Sequence, residues 1–249
     1  MNYLQREWED LRILLRNVPS AVVSVFILSV VCMNLMAGRE LYRSEFFCIN
    51  SGLALSWISF LCMDCICKRF GAKATTKISL LAIFINMATA LIFKLLCMTP
   101  GRWGAYYSAA DPEVGQMIQA GIDATFGSAW YIVVGSATAM LLSTLVNAAL
   151  NQAIGARADH GDFQGFAKRS LVSTVAAQWV DNCVFSAMVS HVFFGWTWTQ
   201  VLICSTTSMI IEAVLEAVFS PLGYKISKDW EKNRVGEYYL KQNDNKGIA

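Results

Sequence analysis

Charge is what this sequence has least of. Asp, Glu, Lys and Arg make up 15% of its 249 residues, where a water-soluble domain carries about 25%, and the mean hydropathy is +0.44. Such a shortage excludes an ordinary soluble domain and points to a polytopic membrane protein. Short motifs of nucleotide and covalent chemistry are missing as well: there is no P-loop, no G-x-S-x-G and no H-E-x-x-H. The chain is therefore expected to have no catalytic residue, and any ATP-driven motor would have to come from another chain. Metal ligation is short of partners. Of the eight cysteines, Cys62 and Cys65 form a C-x-x-C with Cys67 nearby, but no second pair lies at a spacing that would complete a structural zinc site. No metal or cofactor is expected. All eight cysteines fall within the apolar segments described next and are expected to act as small apolar filler out of reach of extracellular oxidation.

Long apolar runs are what the chain has in abundance. A hydrocarbon core of about 30 Å needs roughly 20 mainly apolar residues per helix. Six stretches answer to that, at about Ser20–Met36, Phe46–Cys67, Ile78–Met98, Ser128–Leu150, Leu171–Phe194 and Val201–Leu222. They predict an all-α integral membrane fold, a six-transmembrane-helix bundle over residues 19–224. Residues 1–18 precede it. There Leu4, Trp8, Leu11 and Leu15 recur at helical spacing opposite Arg6, Arg12 and Arg16, the pattern of an amphipathic helix lying in the membrane interface. Residues 225–249 form a polar tail.

Orientation is read from Lys and Arg, which are enriched in cytoplasmic loops. Sixteen of the 20 lie in the amino terminus, the second loop, the fourth loop and the tail, against Arg39, Arg43 and Arg102 in the opposite loops. Lys94 sits close enough to the outer end of its span to snorkel. Both termini are expected in the cytoplasm. The aromatic pairs Trp130/Tyr131 and Trp196/Trp198 at the outer ends fit the same topology.

Against this background the run "STVAAQWVDNCVF", Ser173 to Phe185, stands out, because it carries Gln178, Asp181 and Asn182 near its middle. Each Asp, Lys or Arg at a bilayer centre costs about 2.5–3.5 kcal/mol on insertion scales, so such groups face the bundle interior, a partner or a cavity. Glu212 is about as deep in the sixth span, with Glu216 one turn further on the same helix face. Thr174, Gln178, Asp181 and Asn182 share a face of the fifth, and the short turn between the two makes them antiparallel neighbours. The fourth span adds Gly135, Ala139, Ser143, Asn147 and Asn151 at spacing four, small at one end for close packing and polar at the other. Asn34, Asp64 and Asn86 add further polar groups. Two roles are open for these residues. One is interhelical hydrogen-bond glue, worth about 1 kcal/mol a contact; the other is a binding pocket. For Asp181 and Glu212 the lack of a matching midplane cation favours the pocket. Trp57 and Trp179 offer flat faces for stacking, with lipid-facing or packing roles as the alternative.

The run "RSLVSTVAAQWVDNCVFSAMV", Arg169 to Val189, resembles the R-S-x-x-S-[ST]-x-x-[AS]-Q-x-x-D-[NT]-x-x-F signature of the VUT family of vitamin uptake transporters, which includes bacterial queuosine precursor transporters. "NLMAGREL", "CMDCICKRFGAK" and "EAVLEAVFSPLGYKI" are similar to other segments of that family, in the same order. The resemblance implies a six-helix transporter of a bacterial inner membrane that imports a deazapurine base or a related vitamin. By motif it implies a pocket holding Gln178, Asp181 and Asn182, with Arg169 and Ser173 at its cytoplasmic margin and Glu212 and Glu216 from the sixth helix. One position departs from the family pattern: D-x-x-x-E-x-x-G reads "DCICKRFG" here, with Lys68 where better known members have glutamate, so no role for an acid carries over to that position. The implied partners are a small-molecule substrate and the lipid bilayer, with no nucleic acid; a homo-oligomer is left open. The alternatives are a substrate-binding membrane subunit of an ATP-driven vitamin importer and a non-transporting membrane scaffold.

Overall fold

In the computed structural model the described residues form helices and one small hairpin, joined by short connections. The structure describes residues 2–101, 103, 111–155 and 163–244. The side chains of Asp64, Asn147, Arg169, Ser173 and Glu216 lie outside the described residues.

The helices are α1 (Tyr3–Asn17), α2 (Ser20–Met36), α3 (Leu53–Phe70), α4 (Ala72–Met98), α5 (Pro112–Gly127), α6 (Ala129–Gly155), α7 (Phe163–Phe185), α8 (Val192–Phe194), α9 (Trp198–Lys232) and α10 (Glu237–Asp244). Strands β1 (Glu40–Arg43) and β2 (Cys48–Asn50) pair antiparallel between α2 and α3, with Arg43 opposite Cys48 and Glu40 opposite Asn50. Three helical stretches among the described residues are long and apolar enough to cross a membrane: Ala72–Met98, Pro112–Val146 and Trp198–Phe219. Taken as one bent span, α1 and α2 make a fourth, broken by 109° at Pro19. This is a multi-pass membrane protein. The remaining expected spans fall short of that measure singly for physical reasons: α2 has 17 residues, α3 ends in Lys68 and Arg69, and α7 carries the polar run that opens the functional question.

The structure departs from the sequence expectations in two places. Phe46 does not begin a helix; α3 starts at Leu53, and the preceding residues are spent on the hairpin. Cys48 accordingly lies on β2 and not in a helix. In addition, the segment before the fourth apolar run folds as α5. Asp111 caps it by accepting the Glu113 N–H at 2.9 Å, with Pro112 pre-set at the first helical position.

The chain divides into two compact units. One gathers Met1–Met33, Ala54–Asn86 and Val214–Ala249 around Leu14, Ile66, Ile78 and Tyr239, each almost wholly buried. Here α1 turns Asp10 and Leu14 inward and leaves Leu4 and Trp8 78% and 68% exposed. The inward carboxylate is matched: Lys77 bridges Asp10 and Glu7, and the Tyr239 hydroxyl donates to Asp10 at 3.3 Å. Gly236 sits at φ +72°, a left-handed position where a Cβ would run into the Phe70 ring, so α10 enters close against α3. The other unit, Asn34–Leu53 and Met87–Ala213, holds the residues of interest.

Candidate functional site

The closest helix pair of the second unit is α6 with α7 and the turn that follows it. The stripe of small residues on α6 makes this possible. A Cβ on Gly135 would run into the side chain of Val189, and Ala139 is wholly buried. The close approach brings Ser143, one turn further along the stripe, to α7, where its hydroxyl lies 3.1 Å from Asp181 Oδ1 and 3.0 Å from the Met140 carbonyl. A hydroxyl has one proton, so it donates to one of these acceptors at a time. A carboxylate with about four lone-pair sites can take further donors beyond Ser143.

One residue on, Asn182 faces α9. Its Nδ2 donates to Glu212 Oε2 at 2.8 Å and to the Gln178 carbonyl at 3.0 Å. Both amide protons are thereby used, leaving Oδ1 as the acceptor of that side chain. Gln178 and Glu212 are each 8% exposed. Trp179 donates its indole N–H to Thr206 Oγ1 at 3.1 Å while its ring remains exposed. Thus α7 and α9 are joined through polar side chains, whereas α6 and α7 are joined through close packing. Trp57 stacks on Phe219 in the other unit, with ring centroids 4.3 Å apart.

Past Phe185 the helix widens into a π-helical turn over Ser186–His191, a form that is rare and frequent at functional sites. It ends where His191 Nδ1 donates to the Trp196 carbonyl at 2.6 Å; a carbonyl only accepts, so Nδ1 carries the proton. Gly195 at φ +70° then reverses the chain. Thr197 and Gln200 form a reciprocal cap on α9, Gln200 Oε1 accepting the Thr197 N–H at 2.9 Å and Thr197 Oγ1 the Gln200 N–H at 3.2 Å.

The hairpin is fastened to this turn. The Trp196 indole donates to Glu40 Oε1 at 3.1 Å, the Gln200 amide to the Ser44 carbonyl at 3.1 Å, and the Cys48 N–H to Cys204 Sγ at 3.1 Å. Burial raises the Glu40 carboxyl, but the bonds from Trp196 and Cys48 and the nearby Arg43 outweigh it and hold the group below the usual carboxylate range.

Of the residues singled out in the sequence, the structure brings Ser143, Gln178, Asp181, Asn182 and Glu212 into one neighbourhood. It does not pair the two carboxylates: Asp181 looks to α6 and Glu212 to Asn182. Asn34 is 3% exposed near the end of α2, joins none of these bonds, and leaves its Nδ2 without a partner among the described residues. Arg169 and Ser173 lie on α7, Asn147 on α6, Glu216 on α9 and Asp64 on α3. The contacts of Glu40, Trp196 and Gln200 were missed in the sequence, although "TWTQ" carries the cap signature that would have marked the start of α9.

Residues 50–226 of the chain match the family described as "putative vitamin uptake transporter". The chain belongs to this family. The matched span takes in α3 to α8 and the greater part of α9, and with them the whole polar cluster. The family implies a small-molecule substrate. Neither the curated proteins nor the solved structures yield a match.

Proposed function

We propose that the protein is a six-span transporter of a bacterial inner membrane, with both termini cytoplasmic, that imports a queuosine precursor: a 7-deazaguanine-type base such as 7-cyano-7-deazaguanine. The observation that carries this reading is the placing of two carboxylates, each beside a neutral hydrogen-bonding side chain, within apolar helices: Asp181 with Ser143 and Glu212 with Asn182. A guanine-like edge presents a ring N–H and an exocyclic amine side by side. A carboxylate accepts both, and an amide reads the neighbouring carbonyl. Asp181 or Glu212 supplies the acceptor and Gln178 the amide, with Asn182 holding Glu212 in place. Arg169 and Ser173 belong to the cytoplasmic margin of this pocket. Protons carried on the same acids are the coupling ion that fits.

Uptake of labelled 7-cyano-7-deazaguanine into cells that lack their own importer tests the reading. Saturable accumulation is expected, faster when the outside medium is more acidic. Protein present in the membrane with no uptake above the vector control would overturn the assignment of substrate. Uptake into vesicles containing this chain alone, without ATP, separates a self-sufficient transporter from a subunit that needs an ATPase.

A further inference from the structure

Cys48 and Cys204 are 156 positions apart in sequence, yet the Cys48 N–H donates to Cys204 Sγ across 3.1 Å. They are 3% and 2% exposed and form one small core with Trp196 and Val201, against which Phe47, Ala187 and Phe194 pack. Linked cysteines have Cα atoms about 4.4–6.8 Å apart, and the N–Cα bond is about 1.5 Å. A sulfur that close to the neighbouring main-chain nitrogen lies within about 4.6 Å of the neighbouring Cα, which brings the two side chains into one neighbourhood. The contact is held in register by two others, Trp196 to Glu40 and Gln200 to Ser44. The hairpin is also on the side that the distribution of Lys and Arg assigns to the exterior, where thiols meet oxidants.

We propose that Cys48 and Cys204 form a reversible disulfide that clasps the β1–β2 hairpin to the outer end of α9. The inference rests on the orientation in the proposed function and not on the identity of the substrate. A low-molecular-weight disulfide serves as oxidant. The Cys48 thiolate attacks one of its sulfurs and releases one thiolate; Cys204 then attacks Cys48 in the mixed disulfide and releases the second. Both leaving groups take up the protons that the two cysteines gave up, so two thiols are oxidised as one disulfide is reduced. Burial first, and then the Glu40 carboxylate, push the Cys48 thiol up to about 12. The closed pair is therefore slow to react, and the link forms when the hairpin loosens.

The test uses the full chain. Intact cells and inside-out vesicles are treated with oxidised glutathione, which does not cross the membrane. Free thiols are then blocked with N-ethylmaleimide in denaturant and the peptides mapped by mass with and without reduction. In intact cells a peptide linking Cys48 to Cys204 is expected, with two fewer maleimide adducts per chain, both restored by reduction, and no link in Cys48→Ser. Full maleimide labelling of both cysteines in both preparations would overturn the clasp. A link formed only in inside-out vesicles would overturn the orientation instead.

Discussion

At the scale of single residues, two carboxylates do different work. Asp181 receives the Ser143 hydroxyl, and an asparagine at 181 still offers an oxygen to that hydroxyl, so Asp181→Asn leaves the bond to α6 in place. It removes one acceptor and the charge, and sets an amide donor against the donors of a guanine-like edge. A charge-assisted hydrogen bond is worth about 1.5–3 kcal/mol, and about 1.4 kcal/mol is tenfold in affinity. Binding of the base is expected to weaken roughly ten- to a hundredfold with little change in melting temperature. If the variant instead melts lower and binds as tightly per folded molecule, Asp181 is packing glue. Glu40, outside the spans, acts on stability through pH. Its carboxyl is held below the usual range by Trp196, Cys48 and Arg43 against the opposing effect of burial. The hairpin's gain from that charge is therefore complete above the ordinary carboxylate range and is lost as pH falls through the lowered value. Glu40→Gln is expected to melt below the wild type at neutral pH, by about 1 kcal/mol or less after solvent screening, and the two curves should converge in acid. A gap that stays constant with pH would show that the charge is not what holds the hairpin.

At the scale of elements, the pairing of α6 with α7 depends on Gly135, where a Cβ would collide with Val189 in the π-helical turn. Gly135→Ala is expected to destabilise by about 1–3 kcal/mol through overpacking, and Val189→Ala in the same chain should recover much of it. Melting temperatures of the single and double variants measure the coupling; unchanged melting of Gly135→Ala would mean that the helices approach elsewhere. The stripe containing Gly135, Ala139 and Ser143 was legible in the sequence because a period of four survives any change of neighbour. The polar run on α7 was legible because an acid in an apolar helix is expensive. What could not be read was pairing. Spacing puts Asp181 and Glu212 on facing helices, but whether they meet depends on helix rotation, and the structure gives each a neutral partner. The hairpin was hidden for another reason. A membrane span is recognised over about 19 residues, and strands of four and three residues with Phe46 and Phe47 between them vanish into the apolar run that follows. One consequence is that Cys48 was placed in a helix it does not occupy.

At the scale of the whole molecule, charge decides which way the chain threads the bilayer. Sixteen of 20 Lys and Arg lie in segments that six crossings would put on one side, and positive loops are retained in the cytoplasm. Three described helical stretches meet the length and apolarity of a span outright. The count of six therefore depends on α2, α3 and α7 also crossing, each carrying its shortness or polarity inside the protein, where helix partners satisfy what lipid cannot. That dependence makes the topology testable. Six crossings put α5 outside and the α6–α7 connection and the segment after α9 inside. Four crossings, with α7 and either α2 or α3 lying in the interface, would instead put α5 inside and the α6–α7 connection outside. In a cysteine-free background, Glu113→Cys at the start of α5, Asp159→Cys in the connection and Asn233→Cys after α9 are treated in intact cells with a maleimide that cannot cross the membrane. Glu113→Cys is expected to react, and Asp159→Cys and Asn233→Cys only after the cells are opened. Labelling of Asp159→Cys and Asn233→Cys from outside, with Glu113→Cys protected, would invert the molecule. Labelling of Asp159→Cys together with Glu113→Cys, while Asn233→Cys stays protected, would remove the crossings of both α6 and α7 and leave α6 returning to the side from which it came.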